Sequence, residues 1–389
     1  MKTPYYLIHE DILQENIRSF SDGMKQKWKQ SLVSYSVKTN SLPWVIRFMN
    51  EQRLMMEVVS NEEYELARIC GCAYSDIIYN GPIKGKTSFL DAIHNGSYVN
   101  IDSSREIEWI KNQKLENERI GLRVNVPVDL FTEGNIEYTE DGFRFGFAEA
   151  DRSFETALEA LYKTGIKKIG LHLHCNSITR APDVYRIITK YAVDLIERYG
   201  INLLYLDVGG GFFGGVPGKA TPAEYFEIIT EEIKKSKRTE DIILISEPGS
   251  ALIGSAVDLV TSVIDVKDTA KARIVTTDGS RLHIDPLWKK SRYLYDLETR
   301  EKRPIKDEQI VCGYTCMDHD RLMKIYGMPE LQQGDKIIYH RVGAYSMTFG
   351  GMFIRYLPEV YVERKTGIEK IRDRITVQDY YRIQSQGDL

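Results

Sequence analysis

The chain has 389 residues, 42% of them hydrophobic, and its 52 Lys and Arg against 56 Asp and Glu leave a net charge of −4. That balance offers no basic stripe for nucleic acid, and the length exceeds one ordinary core, so a large domain with a smaller companion is expected. The opening MKTPYYLIHEDILQENI turns polar at once and no run is apolar enough to span a bilayer, so neither signal peptide nor membrane anchor is expected and the chain reads as cytoplasmic.

In chain order, TPYYLIHE is strand-like, and eight further strand-like runs follow, each separated from the next by a segment able to hold one helix. They are SLVSYSV (31–37), LMMEVVS (54–60), SDIIYN (75–80), SYVNID (97–102), RIGLRVNV (119–126), KIGLHLH (168–174), LLYLDV (203–208) and DIILISE (241–247). Eight strand–helix units predict an α/β fold, a (β/α)8 barrel over residues 10–250. From 251 to 389 the patterns are mostly β, as in ALIGSAVDLVTSVIDV and GDKIIYHRVGAYSMTF, which predicts a C-terminal β domain joined by the N-terminal strand 1–9. The cysteines Cys70, Cys72, Cys175, Cys312 and Cys316 form no zinc-type pair, and their odd number points to free thiols.

Barrels place their chemistry where strands end, and here those ends are polar. Lys38 follows the first strand, where desolvation would make its amine nucleophilic; the bland alternative is a snorkelling surface lysine. The others end in Ser60, Asn80 and Asp102, and the fifth carries Arg123. His172 and His174, two apart, share a face if both lie in the strand; they are either hydrogen-bonded core residues or an H-x-H metal pair, and without a third ligand cluster no metal is expected.

The seventh strand runs into Gly209, Gly210 and Gly211, within a G-x-G-x-x-G completed by Gly214. A dinucleotide fold needs that loop to open directly into a helix, whereas the next helix start is the capping box Thr221-Pro222-Ala223-Glu224. A second candidate anion loop, Glu247-Pro248-Gly249-Ser250, follows the eighth strand, and loops seven and eight are where barrels bind a monophosphate. A lysine, a stacking histidine, a glycine anion site and a carboxylate together suit pyridoxal 5'-phosphate (PLP).

In these motifs the chain resembles the fold-type III PLP-dependent decarboxylases, the group of ornithine, diaminopimelate and carboxynorspermidine decarboxylases with the alanine racemase-like fold. The resemblance runs through YSVKTN, EVVSNEEYELA, NGPIKG, NIDSSREIE, FRFGF, HLHCNS, LDVGGGF, EPGSA, CGYTCMDHD and VGAYSMTF, in that order. It implies that Lys38 is the imine-forming lysine, His174 stacks on the cofactor ring, and Glu247 partners the pyridinium. It further implies that Ser177, Gly209, Gly210, Gly211, Gly249, Ser250 and Tyr345 hold the phosphate, and that Asp278, Cys316, Met317 and Asp320 face the substrate. Cys316 would enter from the second subunit of a homodimer with shared active sites and donate a proton to Cα.

Several positions depart from that pattern. Relatives often carry Asp where Glu57 stands, Gly at Asn176, Arg at Ser250, and an acid directly after the cysteine, where this chain has Met317. Losing that acid weakens the case for a diamine-forming substrate, and losing the arginine weakens the case for diaminopimelate. The expected activity is therefore decarboxylation of an amino acid or an amino-acid-derived polyamine precursor. The rivals are a racemase, which Glu247 disfavours because resembling racemases place an arginine at the pyridine nitrogen, and a catalytically silent relative, which would be expected to lack Lys38 or Cys316.

Overall fold

The computed structural model describes residues 1–111, 113–115, 119–137, 140–290 and 292–385. Of the expected β region, residues 291 and 386–389 lie outside the described residues. Contacts divide the chain into two compact units, Asn16–Leu252 and a second formed by Met1–Glu15 with Ile253–Leu389.

The chain begins with β1 (Tyr5–His9), and the first unit then supplies β2 (Ser31–Ser36), β3 (Met55–Ser60), β4 (Ile77–Ile83), β5 (Tyr98–Ile101), β6 (Ile120–Arg123), β7 (Ile169–His172), β8 (Leu203–Asp207) and β9 (Ile243–Ser246). β2 to β9 close into a parallel barrel, β9 returning to β2. Strands buried on both faces read as near-continuous apolar runs, which is why they stand out in the sequence. Inside, Tyr205 packs with Met55, Ile78, Tyr98 and Ile245. The strands beside it carry glycine for that reason: a Cβ on Gly170 would sit 1.9 Å from the Tyr205 ring, and one on Gly121 2.5 Å from its hydroxyl.

The helix Pro222–Ile233 starts with the expected capping box, in which Thr221 and Glu224 cap each other's backbone N–H groups, and it buries Phe226, Ile229 and Ile233. Phe226 and Tyr225 meet Phe212, which also stacks on Tyr185 at 4.5 Å and meets Phe20 edge-on at 5.3 Å. This aromatic cluster anchors the glycine loop from below.

In the second unit the strands are β10 (Val257–Asp268), β11 (Arg273–Thr277), β12 (Leu294–Glu298), β13 (Ile305–Cys312), β14 (Arg321–Pro329), β15 (Lys336–His340), β16 (Glu359–Arg364) and β17 (Gly367–Arg372). They form one sheet with β1, which pairs antiparallel to β10 and parallel to β16. Across it runs a chain of ionisable groups: Glu363 and Asp258 hold His9 at 2.7 and 3.0 Å, and Asp258 and Asp296 hold His340 at 2.9 and 3.0 Å. No helix among the described residues is long and apolar enough to cross a membrane.

Candidate active site

Strand pairing sets the site before any side chain is considered, because every barrel strand delivers its last residues to the same end. β2 leads into a single tight turn, Val37–Thr39, that presents Lys38. Its amine donates to Glu57 Oε2 at 2.6 Å and to Ser36 Oγ at 2.8 Å, and its side chain is 42% exposed. The sequence leads one to expect an amine made reactive by an apolar wall; the structure instead gives it a buried carboxylate as partner. Burial alone would raise the Glu57 carboxyl, but the Lys38 charge and hydrogen bonds from Lys38, Ser36 and Asn80 outweigh it and hold it below the ordinary range.

From Glu57 the polar contacts continue through the barrel interior. The Asn80 amide donates to Glu57 Oε1 at 3.2 Å and to Glu247 Oε1 at 2.5 Å, while its oxygen accepts from Asn100 at 2.8 Å. Asn100 also reaches Asp207 at 3.4 Å and accepts from the Tyr205 hydroxyl. Glu247 is buried against Asp207: burial, the Asp207 and Glu57 charges and a hydrogen bond to Asp207 raise its carboxyl far above the usual range. Asp207 is likewise pushed up, mainly by burial, to about 6. The two buried carboxyls thus raise each other toward the protonated form, Glu247 the more strongly.

The strand expected over 168–174 ends at His172, so the two histidines do not share one strand. His172 is buried, its ring nitrogens lack hydrogen-bond partners among the described residues, and Nε2 lies 3.6 Å from Glu247. His172, Asp207 and Glu247 bring three potential ligand atoms within 4.8 Å of one another, a buried cluster with the spacing of a metal site that the sequence did not bring together. His174 sits past the strand end, where burial and the nearby Arg123 and Lys38 cations push its imidazole down to about 3, leaving a neutral ring. Arg123 itself pairs with Asp102 at 3.1 Å.

The glycine loop is shaped by its neighbours. Gly209 adopts a positive φ of 66°, and a Cβ there would come within 2.6 Å of His174; a Cβ on Gly210 would lie 2.4 Å from the Glu247 carbonyl oxygen. A Cβ on Gly249 would lie 1.9 Å from Thr39 Oγ1, and Ser36 N–H donates to the Pro248 carbonyl at 3.3 Å, so this turn is seated directly on the lysine turn. Gly209 N–H donates to Asp207, whereas those of Gly210 and Gly211 have no acceptor among the described residues. Ser177 Oγ donates to the Asn135 carbonyl and accepts from Arg180 N–H, and Ser250 Oγ accepts from Arg180 Nη1 at 3.1 Å. Open backbone donors, a lysine amine, a neutral imidazole and a buried carboxyl suit a phosphorylated pyridine aldehyde.

The remaining sequence-derived residues belong to the second unit. Cys316 is exposed on the loop between β13 and β14. Met317 lines a concavity of about 500 Å³ with Leu282, Trp288, His319 and Phe353. Asp320 is buried and accepts from Ser280, Arg281 N–H and Thr315, so its carboxylate fastens the cysteine loop instead of facing outward. Asp278, likewise buried, accepts from Ser262 N–H at 2.8 Å and ties β10 to the end of β11. Tyr345 has a positive φ of 60° and meets Phe349 edge-on.

Reading strand ends alone passes over Glu57, Asp207 and Asn100 as parts of the site. The usable signal was a lone charged residue in an otherwise apolar strand, MMEVV and LYLDV, since a carboxylate there must find partners.

Comparison with known proteins accords with this geometry. A family model for the pyridoxal binding domain of pyridoxal-dependent decarboxylases matches residues 14–254. The chain is 27% identical over 395 residues to a probable chloroplastic diaminopimelate decarboxylase of Oryza sativa subsp. japonica, covering 97% of this chain and 79% of that one. It is 26% identical over 400 residues to diaminopimelate decarboxylase of Helicobacter pylori, covering 99% and 96%. The crystal structure of the Helicobacter pylori enzyme complexed with L-lysine superposes with a TM-score of 0.84 at 22% identity, over 100% of this chain and 98% of that one. The chain thus belongs to the pyridoxal-dependent decarboxylase family, and it is a PLP-dependent enzyme that decarboxylates an amino acid.

Proposed function

We propose that the barrel groups described above carry the reaction, with Lys38 binding the cofactor covalently and Glu247 serving its ring nitrogen. The observation that carries this reading is the Asn80 amide, which joins the carboxylate holding the Lys38 amine to the buried Glu247 carboxyl. When bound, PLP supplies an electron-poor ring that accepts the electron pair released as the Cα–carboxylate bond breaks. Glu247 would partner the ring nitrogen and exchange a proton with it. His174, neutral and seated on Gly209, would pack against the ring face without adding charge. The N–H groups of Gly210 and Gly211 take the phosphate. Lys38 would hold the cofactor through its amine, and Glu57 would keep that amine positioned and stabilise its protonated form whenever it is free.

The same reading assigns the protein to a homodimer in which the partner subunit's Cys316 returns a proton to Cα. Its exposed place on a loop fastened by Asp320 suits a thiol that works across an interface. For substrate, relatives named diaminopimelate decarboxylase over nearly the whole chain favour an amino acid of that type. Met317 in an apolar concavity favours a second reading, a polyamine-derived substrate of the carboxynorspermidine kind, over ornithine. A test is carbon dioxide release from the PLP-loaded enzyme over diaminopimelate, carboxynorspermidine, ornithine, lysine and arginine. Turnover of one of the first two is expected; release from none of them would overturn the substrate assignment.

A further inference from the structure

The phosphate of the cofactor brings about −1.5 to −2 charges at neutral pH. The backbone N–H groups of the glycine loop supply partial charges, and the two serines supply none; moreover the Ser177 hydroxyl is already used on the Asn135 carbonyl and the Arg180 N–H. A full positive charge at this place comes from Arg180. Its backbone is held in the left-handed region, φ 51°, which a non-glycine residue adopts at a cost and keeps only where its surroundings enforce it. Here they do: its N–H donates to Ser177 Oγ at 2.8 Å, and its carbonyl accepts from the Tyr225 hydroxyl at 2.6 Å.

So fixed, the side chain runs to the glycine loop. Nη1 donates to Ser250 Oγ at 3.1 Å, and the guanidinium lies 5.4 Å from the centre of the Phe213 ring, two residues after Gly211. Lys219 approaches the same ring at 5.2 Å. No carboxylate among the described residues pairs with the Arg180 guanidinium. A structural arginine this well placed would ordinarily have such a partner; one aimed between two candidate anion loops without it has its charge to spend on a ligand.

We propose that Arg180 is the phosphate-binding cation of this enzyme, reaching the cofactor from the loop after β7. The inference rests on the assignment of the Gly209–Gly211 and Gly249–Ser250 loops as the phosphate cradle. It also accounts for Ser250, which accepts a hydrogen bond from an arginine contributed by another loop.

The test uses cofactor-free protein titrated with PLP, with pyridoxal, which lacks the phosphate, and with inorganic phosphate as competitor, read by absorbance. Arg180→Met is expected to weaken PLP binding about 10- to 100-fold, with Arg180→Lys between it and wild type and pyridoxal binding unchanged within about twofold. Competition by phosphate should fall in parallel. Unchanged PLP affinity, or equal weakening toward PLP and pyridoxal, would overturn the proposal, since the second is the signature of a loop that has merely collapsed. A raised KM for substrate with unchanged PLP affinity would overturn it too, assigning the arginine to a substrate carboxylate. If Arg180→Met does not fold, Arg180→Lys and phosphate competition on the wild-type protein decide. Failure of the wild-type protein to bind PLP through Lys38 would instead strike at the parent reading.

Discussion

Lys38 donates to Glu57 across 2.6 Å, between the turn after one barrel strand and the interior face of the next. That contact holds the amine at one place in the barrel mouth, and it makes the protonation of Lys38 depend on its neighbour. Replacing Glu57 with Gln removes the charge that favours the ammonium form, so the pH midpoint for covalent cofactor attachment, followed by absorbance, should move downward. An unmoved midpoint would show that the pairing does not govern the amine.

Lys38→Ala should abolish turnover while leaving the fold intact, because it removes no buried volume of consequence. Borohydride reduction of the wild-type holoenzyme should fix the cofactor on a peptide containing Lys38, which mass spectrometry can verify. Label on any other lysine would sink the assignment.

Glu247→Gln should lower kcat by on the order of 10² or more with little loss of bound cofactor. An amide can neither exchange a proton with the ring nitrogen nor face a pyridinium as an anion. Since the stabilisation grows as the Cα–carboxylate bond breaks, kcat should fall more than KM changes. Unchanged kcat would make Glu247 a structural carboxyl.

Mixing Lys38→Ala subunits with Cys316→Ala subunits should restore part of the activity, because one of the two composite sites in a heterodimer would hold both native residues. In the same region, Met317→Asp should improve the handling of ornithine or lysine by giving the distal ammonium a carboxylate. Heterodimers without activity would place the thiol outside the partner's site.

The second unit makes a prediction about pH and stability. His9 is raised to about 9 from 6.5, chiefly by its hydrogen bond to Asp258 against an opposing burial effect, with Glu363 adding to it. A group raised in the folded state contributes its full stability below the unfolded value and loses it as pH rises through the folded one. The contribution is no more than about 3 kcal/mol. Thermal unfolding should therefore fall between pH 6.5 and 9, by about 2–4 °C for each kcal/mol lost, and His9→Asn should flatten that slope. An identical slope in the variant would assign the loss elsewhere.

The barrel is legible in the sequence because strands buried on both faces write themselves as apolar runs, and Lys38, His174 and Glu247 are legible because they follow such runs. Motifs of the resembling family add the cysteine loop. What escapes is whatever depends on two distant segments meeting. Gly121 and Gly170 look like defects in strands until the Tyr205 ring is seen between them. Arg180 looks like a loop residue because its reach depends on a left-handed turn that no pattern announces. Asp320 was expected to face substrate, yet its neighbours Ser280, Arg281 and Thr315 take up its oxygens.

The close seating of Gly249 on Thr39 has a consequence for how cofactor affinity is achieved. The turn that presents the amine and the turn that follows β9 touch backbone to side chain with no room for a methyl group, so neither can shift without displacing the other. The turn that presents Lys38 and the turn proposed as one wall of the anion cradle are thus packed directly against each other. A residue as small as alanine at position 249 should therefore weaken cofactor capture, by displacing the Lys38 turn as well as by crowding the proposed phosphate site, and an unchanged cofactor affinity would show that the two turns are not coupled.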